Sequence, residues 1–290
     1  MKRHGSLALL LALASACRGE GDRPLRIGSK NFTEQVILGE IAAQGLEARG
    51  VRVDRRLNLG GTFVCHQALK AGELGLYPEY TGTAFTAILA RKPVSDPELV
   101  RAEVAKEYRK RWNLVWSPPL GFENTFALVM RRDEAARLHI SKISDLAAHP
   151  EIRPGFGYEF LEREDGFPGL AKTYGLHFSQ RPVQMDLGLL YQALESGKVD
   201  LVAGNSTDGL IDAIGGIVLE DDRRYFPPYE AAFVLGAEVW KRPAVRAFFE
   251  SLAGTIDAAM MRKMNASVDK DKRRPEDVAR EFLRRSVKQP

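Results

Sequence analysis

Cysteine is nearly absent from this chain of 290 residues: Cys17 and Cys65 are the only two, and they form no CxxC pair. A disulfide framework and a CxxC redox motif are therefore excluded. The five histidines fall in no metal-ligand spacing and no HExxH occurs, so no metal site is expected. A GxxxxGK[ST] loop is missing, which removes the P-loop kind of nucleotide binding. No cofactor is expected. Ser206 lacks a GxSxG elbow, so His66, Ser206 and Asp208 compose a nucleophilic triad only on paper. The chain is read as a non-enzyme, with an exported hydrolase as the opposing class. The formal charge is only +4, and the densest basic run, Lys270 to Arg274, alternates with Asp269 and Asp271. Without a basic stripe carrying interleaved aromatics, nucleic acid is not an expected partner.

What is present begins at the N-terminus. "MKRHGSLALLLALASAC" has Lys2 and Arg3, an apolar run from about Leu7 to Ala14, and small residues before Cys17. That is the pattern of an export signal, too short to persist as a spanning helix. "ASAC" reads as a bacterial lipobox with Ala14 in place of the preferred Leu, so residues 1–16 are expected to be a signal peptide and Cys17 a lipidated first residue. Residues 17–24 then form a polar, lipid-anchored tether. If Cys17 carries lipid, Cys65 has no disulfide partner.

With 44% hydrophobic and 28% charged residues, the chain as a whole has the composition of an ordinary globular protein. "LRIGSK" (25–30) reads as a strand, followed by "NFTEQ", where Asn31 and Glu34 have the spacing of a capping box. Leu38, Ile41, Ala42, Gly45 and Leu46 then mark one helical face. Glycines open and close a helix over 60–72, and Asp96 with Pro97 opens another as N-cap and N1. "ALKAGELGLYPEYTG" (68–82) and "ALESGKVDLVAGNSTDG" (193–209) share a local grammar, with Tyr80 and Asn205 at the same offset. Alternating strands and helices predict an α/β fold with mainly parallel sheets. Ligands bind beyond the carboxyl ends of such strands, where both polar turns fall. Two lobes facing across a ligand cleft follow.

"IGSKNFTEQVILGEI", "LGGT", "LYPEYTGTAF", "NTFALVM", "STDG" and "LEDD" with "FPPYEA" resemble, in order, the motifs of osmoprotectant-binding proteins of ABC importers. The resemblance runs from about Leu25 to the C-terminus. It implies a two-lobed type II periplasmic-binding fold, with residues 25–125 and 230–290 in one lobe and 126–229 in the other. It implies a monomer that works outside the cytoplasm, at the periplasm or cell surface. Its partners would be a permease, an ATPase subunit and a membrane reached through the lipid anchor. The ligand would be a glycine betaine, proline betaine, carnitine or choline.

Carried over by motif position, the resemblance assigns Tyr80, Phe126 and Tyr229 to an aromatic cage for a quaternary ammonium, and Lys30, Arg163 and Thr83 to a carboxylate. Asn205 stands where a betaine binder would show another cage tyrosine. A quaternary ammonium donates no hydrogen bond, so aromatic faces hold it by cation–π attraction. A carboxylate wants charge-assisted donors. On that argument choline would leave two cations unpaired, which ranks betaine-like zwitterions above it. An amide at Asn205 adds hydrogen-bonding capacity in place of π surface, which suits ergothioneine or an amino acid as an alternative ligand. A ligand-sensing receptor module is the other non-enzymatic reading.

Overall fold

The computed structural model describes residues 23–286. The expected signal sequence and Cys17 lie outside the described residues. Among the described residues, ten strands divide evenly between two sheets. The first takes β1 (Leu25–Lys30), β2 (Val53–Gly60), β3 (Leu76–Tyr80), β4 (Leu114–Trp116) and β10 (Ala231–Gly236), in the order β2-β1-β3-β10-β4. The second takes β5 (Phe126–Arg131), β6 (Pro154–Phe156), β7 (Val183–Gln184), β8 (Leu201–Asn205) and β9 (Gly216–Val218), in the order β7-β6-β8-β5-β9. This is the expected two-lobed α/β architecture.

The sheets are mixed, not mainly parallel. β1, β2 and β3 pair in parallel, as do β6, β7 and β8, but β10 and β5 run antiparallel to both of their neighbours. The cause is the connection. β5 and β10 are each entered from the other sheet, over segments 117–125 and 219–230, and so start at the cleft where the neighbouring strand ends. The two crossing segments are zipped together by a bridge between Glu123 and Glu230 and by Asn124 N donating to Tyr229 O at 3.1 Å.

Register makes the two strand ends equivalent. Tyr80, the last residue of β3, pairs with Ala231, the first of β10; Asn205, the last of β8, pairs with Phe126, the first of β5. The shared offset read from the sequence therefore corresponds to one position in each sheet.

Helix α1 (Thr33–Glu47) buries Leu38, Ile41, Ala42, Gly45 and Leu46 against the first sheet and the C-terminal helices. Aromatic residues Phe233, Phe248 and Phe249 fill the same core. Helix α2 (Thr62–Lys70) starts at Gly61 and is closed by Gly72 at φ +72°. The helix Pro97–Trp112 has Asp96 as N-cap, accepting from the backbone N–H of Glu98 and Leu99. The second sheet carries its own cores on its two faces, one around Phe156, Phe160 and Leu170, the other around Val129, Leu194 and Val202.

Candidate functional site

The carboxyl ends of β1, β3 and β8 converge on a cavity of about 230 Å³ between the sheets. All seven residues expected to touch ligand line it: Lys30, Tyr80, Thr83, Phe126, Arg163, Asn205 and Tyr229. Tyr77 and Tyr225, the other tyrosines near these motifs, point elsewhere. The Tyr77 hydroxyl donates to Glu79, and that of Tyr225 to the backbone oxygen of Glu164.

Three rings the cage prediction omitted, Phe32, Tyr158 and Phe160, also face the cavity. Phe32 stacks on Tyr80 with centroids 6.4 Å apart, and Phe126 meets Phe160 edge-on at 4.9 Å and Tyr229 at 6.1 Å. Phe32 sits inside the "SKNF" motif itself, so its place in the sequence was a usable signal.

The two cations are not waiting unpaired. Lys30 Nζ donates to the buried Glu79 carboxylate and to Thr62 Oγ1, and lies 5.0 Å over the Tyr80 ring. Arg163 donates to both oxygens of Asp165, at 2.8 and 2.5 Å, and more weakly to Thr83 Oγ1 and Glu159. Its guanidinium stands 5.0 Å over the Phe126 ring. The premise that choline would leave two bare charges therefore fails, because burying either cation required an acid beside it. What distinguishes a carboxylate from a hydroxyl here is smaller: one N–H of Nζ and one of the guanidinium have no protein acceptor among these bonds.

Asp165 is the anchor of that arrangement. Besides Arg163 it accepts from Thr86 Oγ1 at 2.6 Å and Tyr229 Oη at 2.7 Å. Burial opposes its ionisation, but the guanidinium and these donors outweigh burial and hold the carboxyl below its ordinary range. Burial, with the Asp165 charge adding to it, pushes the Tyr229 phenol well above its ordinary value, so this ring stays neutral.

Glu34 does not cap its helix. The N-cap is Phe32 without a side-chain bond, because the Glu34 carboxylate is taken by Tyr80 Oη (2.6 Å), Asn124 Nδ2 (2.8 Å), Thr207 Oγ1 (2.6 Å) and Asn265 Nδ2 (3.1 Å). Burial raises its pKa, and the four donors work against that rise. The paper triad is not assembled. Among the described residues both ring nitrogens of His66 lack a hydrogen-bond partner, in an aromatic nest with Tyr108 and Trp112, and Ser206 Oγ accepts from Thr125 N.

Behind Asn205, Asp208 accepts from Tyr191 Oη at 2.6 Å and from Asn205 N at 2.8 Å. Burial pushes the Asp208 carboxyl up from 3.8 to about 6. The folded chain thus holds a proton there that the unfolded chain releases. The resulting stability is full below about pH 4 and is lost as pH rises through about 6. Asp208→Asn is expected to gain stability over the parent by up to about 3 kcal/mol more at neutral pH than in acid. Urea unfolding of both proteins at about pH 4.5 and 7.5 measures this; equal gains at the two pH values would refute it.

Across the cleft, Glu159 of the helix Tyr158–Glu162 binds the start of α2. Thr62 N and Thr62 Oγ1 both donate to its carboxylate, the latter at 3.0 Å. A Cβ on Gly61 would lie 2.1 Å from Glu159 Oε1, so glycine is needed there for this contact.

Comparison with known proteins gives a consistent picture. Residues 23–285 match the family model for the substrate binding domain of ABC-type glycine betaine transport systems. The chain is 36% identical over 285 residues to the ergothioneine transport permease/ergothioneine binding protein EgtU of Helicobacter pylori, covering 96% of this chain and 51% of that one. It thus spans about half the length of that relative. It is 36% identical over 300 residues to a glycine-betaine-binding protein of Pseudomonas aeruginosa, covering 95% and 94%. A crystal structure described as a glycine betaine/carnitine/choline ABC transporter superposes with a TM-score of 0.73 at 30% identity, covering 90% of this chain and 97% of that one.

Proposed function

The chain belongs to the family of substrate-binding domains of ABC-type glycine betaine transport systems, and from that premise we propose that its inter-sheet cavity captures a quaternary-ammonium zwitterion and presents it to a permease. One observation carries the ligand class: Tyr80, Phe126 and Tyr229 face one cavity together with Lys30 and Arg163. Each ring contributes about 0.5–2 kcal/mol to a desolvated quaternary ammonium. The spare N–H groups of Lys30 and Arg163 meet the carboxylate, with Thr83 beside them. Closure of one lobe on the other wraps the ligand, and the closed form is the species delivered. Energy for release comes from a separate ATPase subunit. The site of action is outside the cytoplasm, with Cys17 as the membrane anchor. The reading assigns the chain no chemistry on its ligand: Lys30 and Arg163 are paired with Glu79 and Asp165, and the family is one of transporter binding domains.

Calorimetric titration with glycine betaine, proline betaine, carnitine, choline and ergothioneine tests this. Micromolar or tighter binding of at least one zwitterion in the panel is expected; silence from all of the zwitterions would refute the ligand class.

A second reading rests on Asn205. Its amide faces the cavity with Asp208 behind it, a polar wall suited to a ligand that carries a hydrogen-bonding group beside its ammonium. The Helicobacter relative is described as an ergothioneine binding protein, and ergothioneine has such a group. Asn205→Tyr restores a ring at this wall. It is expected to tighten glycine betaine by about three- to thirtyfold, the equivalent of one ring, and to weaken any ligand that uses the amide. Unchanged affinities for both would show that Asn205 does not read the ligand.

A further inference from the structure

We propose that Glu34 is a positioning residue that couples ligand on the Tyr80 ring to closure of the lobes. The inference rests on the cavity being the ligand site. The Glu34 side chain is buried, and its four donors come from four separate segments. Tyr80 ends β3 and lines the cavity; Asn124 belongs to a crossing segment and lines it too. Thr207 lies in the turn after β8, on the second sheet's side, and Asn265 lies on the helix Ala258–Asp269, which packs against α1. Ligand ring, hinge, opposite lobe and C-terminal helix therefore meet on one side chain.

The two carboxylate oxygens divide the work. Oε1 takes Tyr80 and Asn124, which are tied to the first sheet and a crossing segment. Oε2 takes Thr207 and Asn265. Asn265 Nδ2 also donates to Thr207 O at 2.8 Å, and a Cβ on Gly209 would lie 2.3 Å from Ala266 N, so the turn rests directly on the tail helix. This adds a non-covalent connection between the lobes to the two crossing segments and to the contacts of Glu159 with Thr62 and Asp165 with Thr86. Rotation of the second sheet about the crossing segments carries the turn with it, so the Thr207 bond is made in one lobe arrangement and strained or broken in another. Bonds on Oε1 persist through that motion. A ligand that presses on the Tyr80 ring thereby acts on the same carboxylate that holds the opposite lobe. Stability alone does not call for such a group, because a buried carboxylate is costly to desolvate and an apolar side chain of similar volume serves a core as well.

Thr207→Val keeps the shape and removes the donated bond. It is expected to raise the ligand dissociation rate about tenfold with the association rate within twofold. It is also expected to enlarge the radius of gyration of the unliganded protein in small-angle X-ray scattering. Glu34→Gln should do the same, and the double variant should be no worse than Glu34→Gln alone. Loss of melting temperature with dissociation rate and radius unchanged would mean a purely structural role and overturn the proposal. The scattering readout needs no ligand. If no titrated compound binds, the ligand-site reading fails on its own account, and equal radii for parent and Thr207→Val then overturn the coupling as well.

Discussion

Asp165→Ala is expected to cost about 3–5 kcal/mol of stability, the loss typical of breaking a buried ion pair from one side. The Arg163 side chain would be left deep in the cavity wall without its bidentate acceptor, and Thr86 and Tyr229 would each lose a bond. The damage should not be confined to one sheet, since Thr86 belongs to the first and Asp165 follows a helix of the second. Urea unfolding at neutral pH measures it. Asp165→Asn keeps one acceptor and should fall between the parent and the alanine variant. A loss below about 1 kcal/mol for alanine would show that Arg163 finds another acceptor, with Glu159 the nearest candidate at 3.5 Å.

The second large effect is on affinity. Tyr80→Ala removes a cavity ring, takes the ring face away from Lys30, and leaves Glu34 Oε1 with Asn124 alone. Binding of a quaternary-ammonium ligand should weaken by about thirtyfold or more, roughly 2 kcal/mol. Tyr80→Phe keeps the ring and should lose much less of the direct attraction. Calorimetry on both variants, with circular dichroism to confirm folding, separates ring from hydroxyl. An unchanged affinity for the alanine variant would remove Tyr80 from the site.

The cavity was legible in the sequence because its residues sit at strand ends within short, specific motifs. Tyr80 and Asn205 could be matched by counting alone, and the register of β3 and β8 gives that count its meaning. The electrostatics were not legible. Asp165 lies two residues from Arg163, within an acidic run that gave no clue to which acid would turn inward. Glu79 stands 49 residues from Lys30, and only the parallel pairing of β1 with β3 brings them together. Glu34 shows the limit most clearly. Its spacing to Asn31 suited a local cap, yet its donors arrive from positions 80, 124, 207 and 265, and tertiary contacts decided against the local motif. Mixed sheets escaped for a related reason, since strand direction depends on which lobe the chain comes from.

The strand swap has a consequence for the order in which the chain can assemble during its synthesis. All five strands of the second sheet lie in one continuous stretch, residues 126–218, so that sheet can be completed from contiguous chain. The first sheet cannot. Its slot between β3 and β4 stays vacant until residues 231–236 emerge, more than a hundred residues after β4. Until then one edge of β3 offers bare peptide groups, interrupted only at Pro78, which has no N–H to offer. The half that begins first is the half that finishes last, and the long separation of β10 from its partners marks its insertion as the slow step.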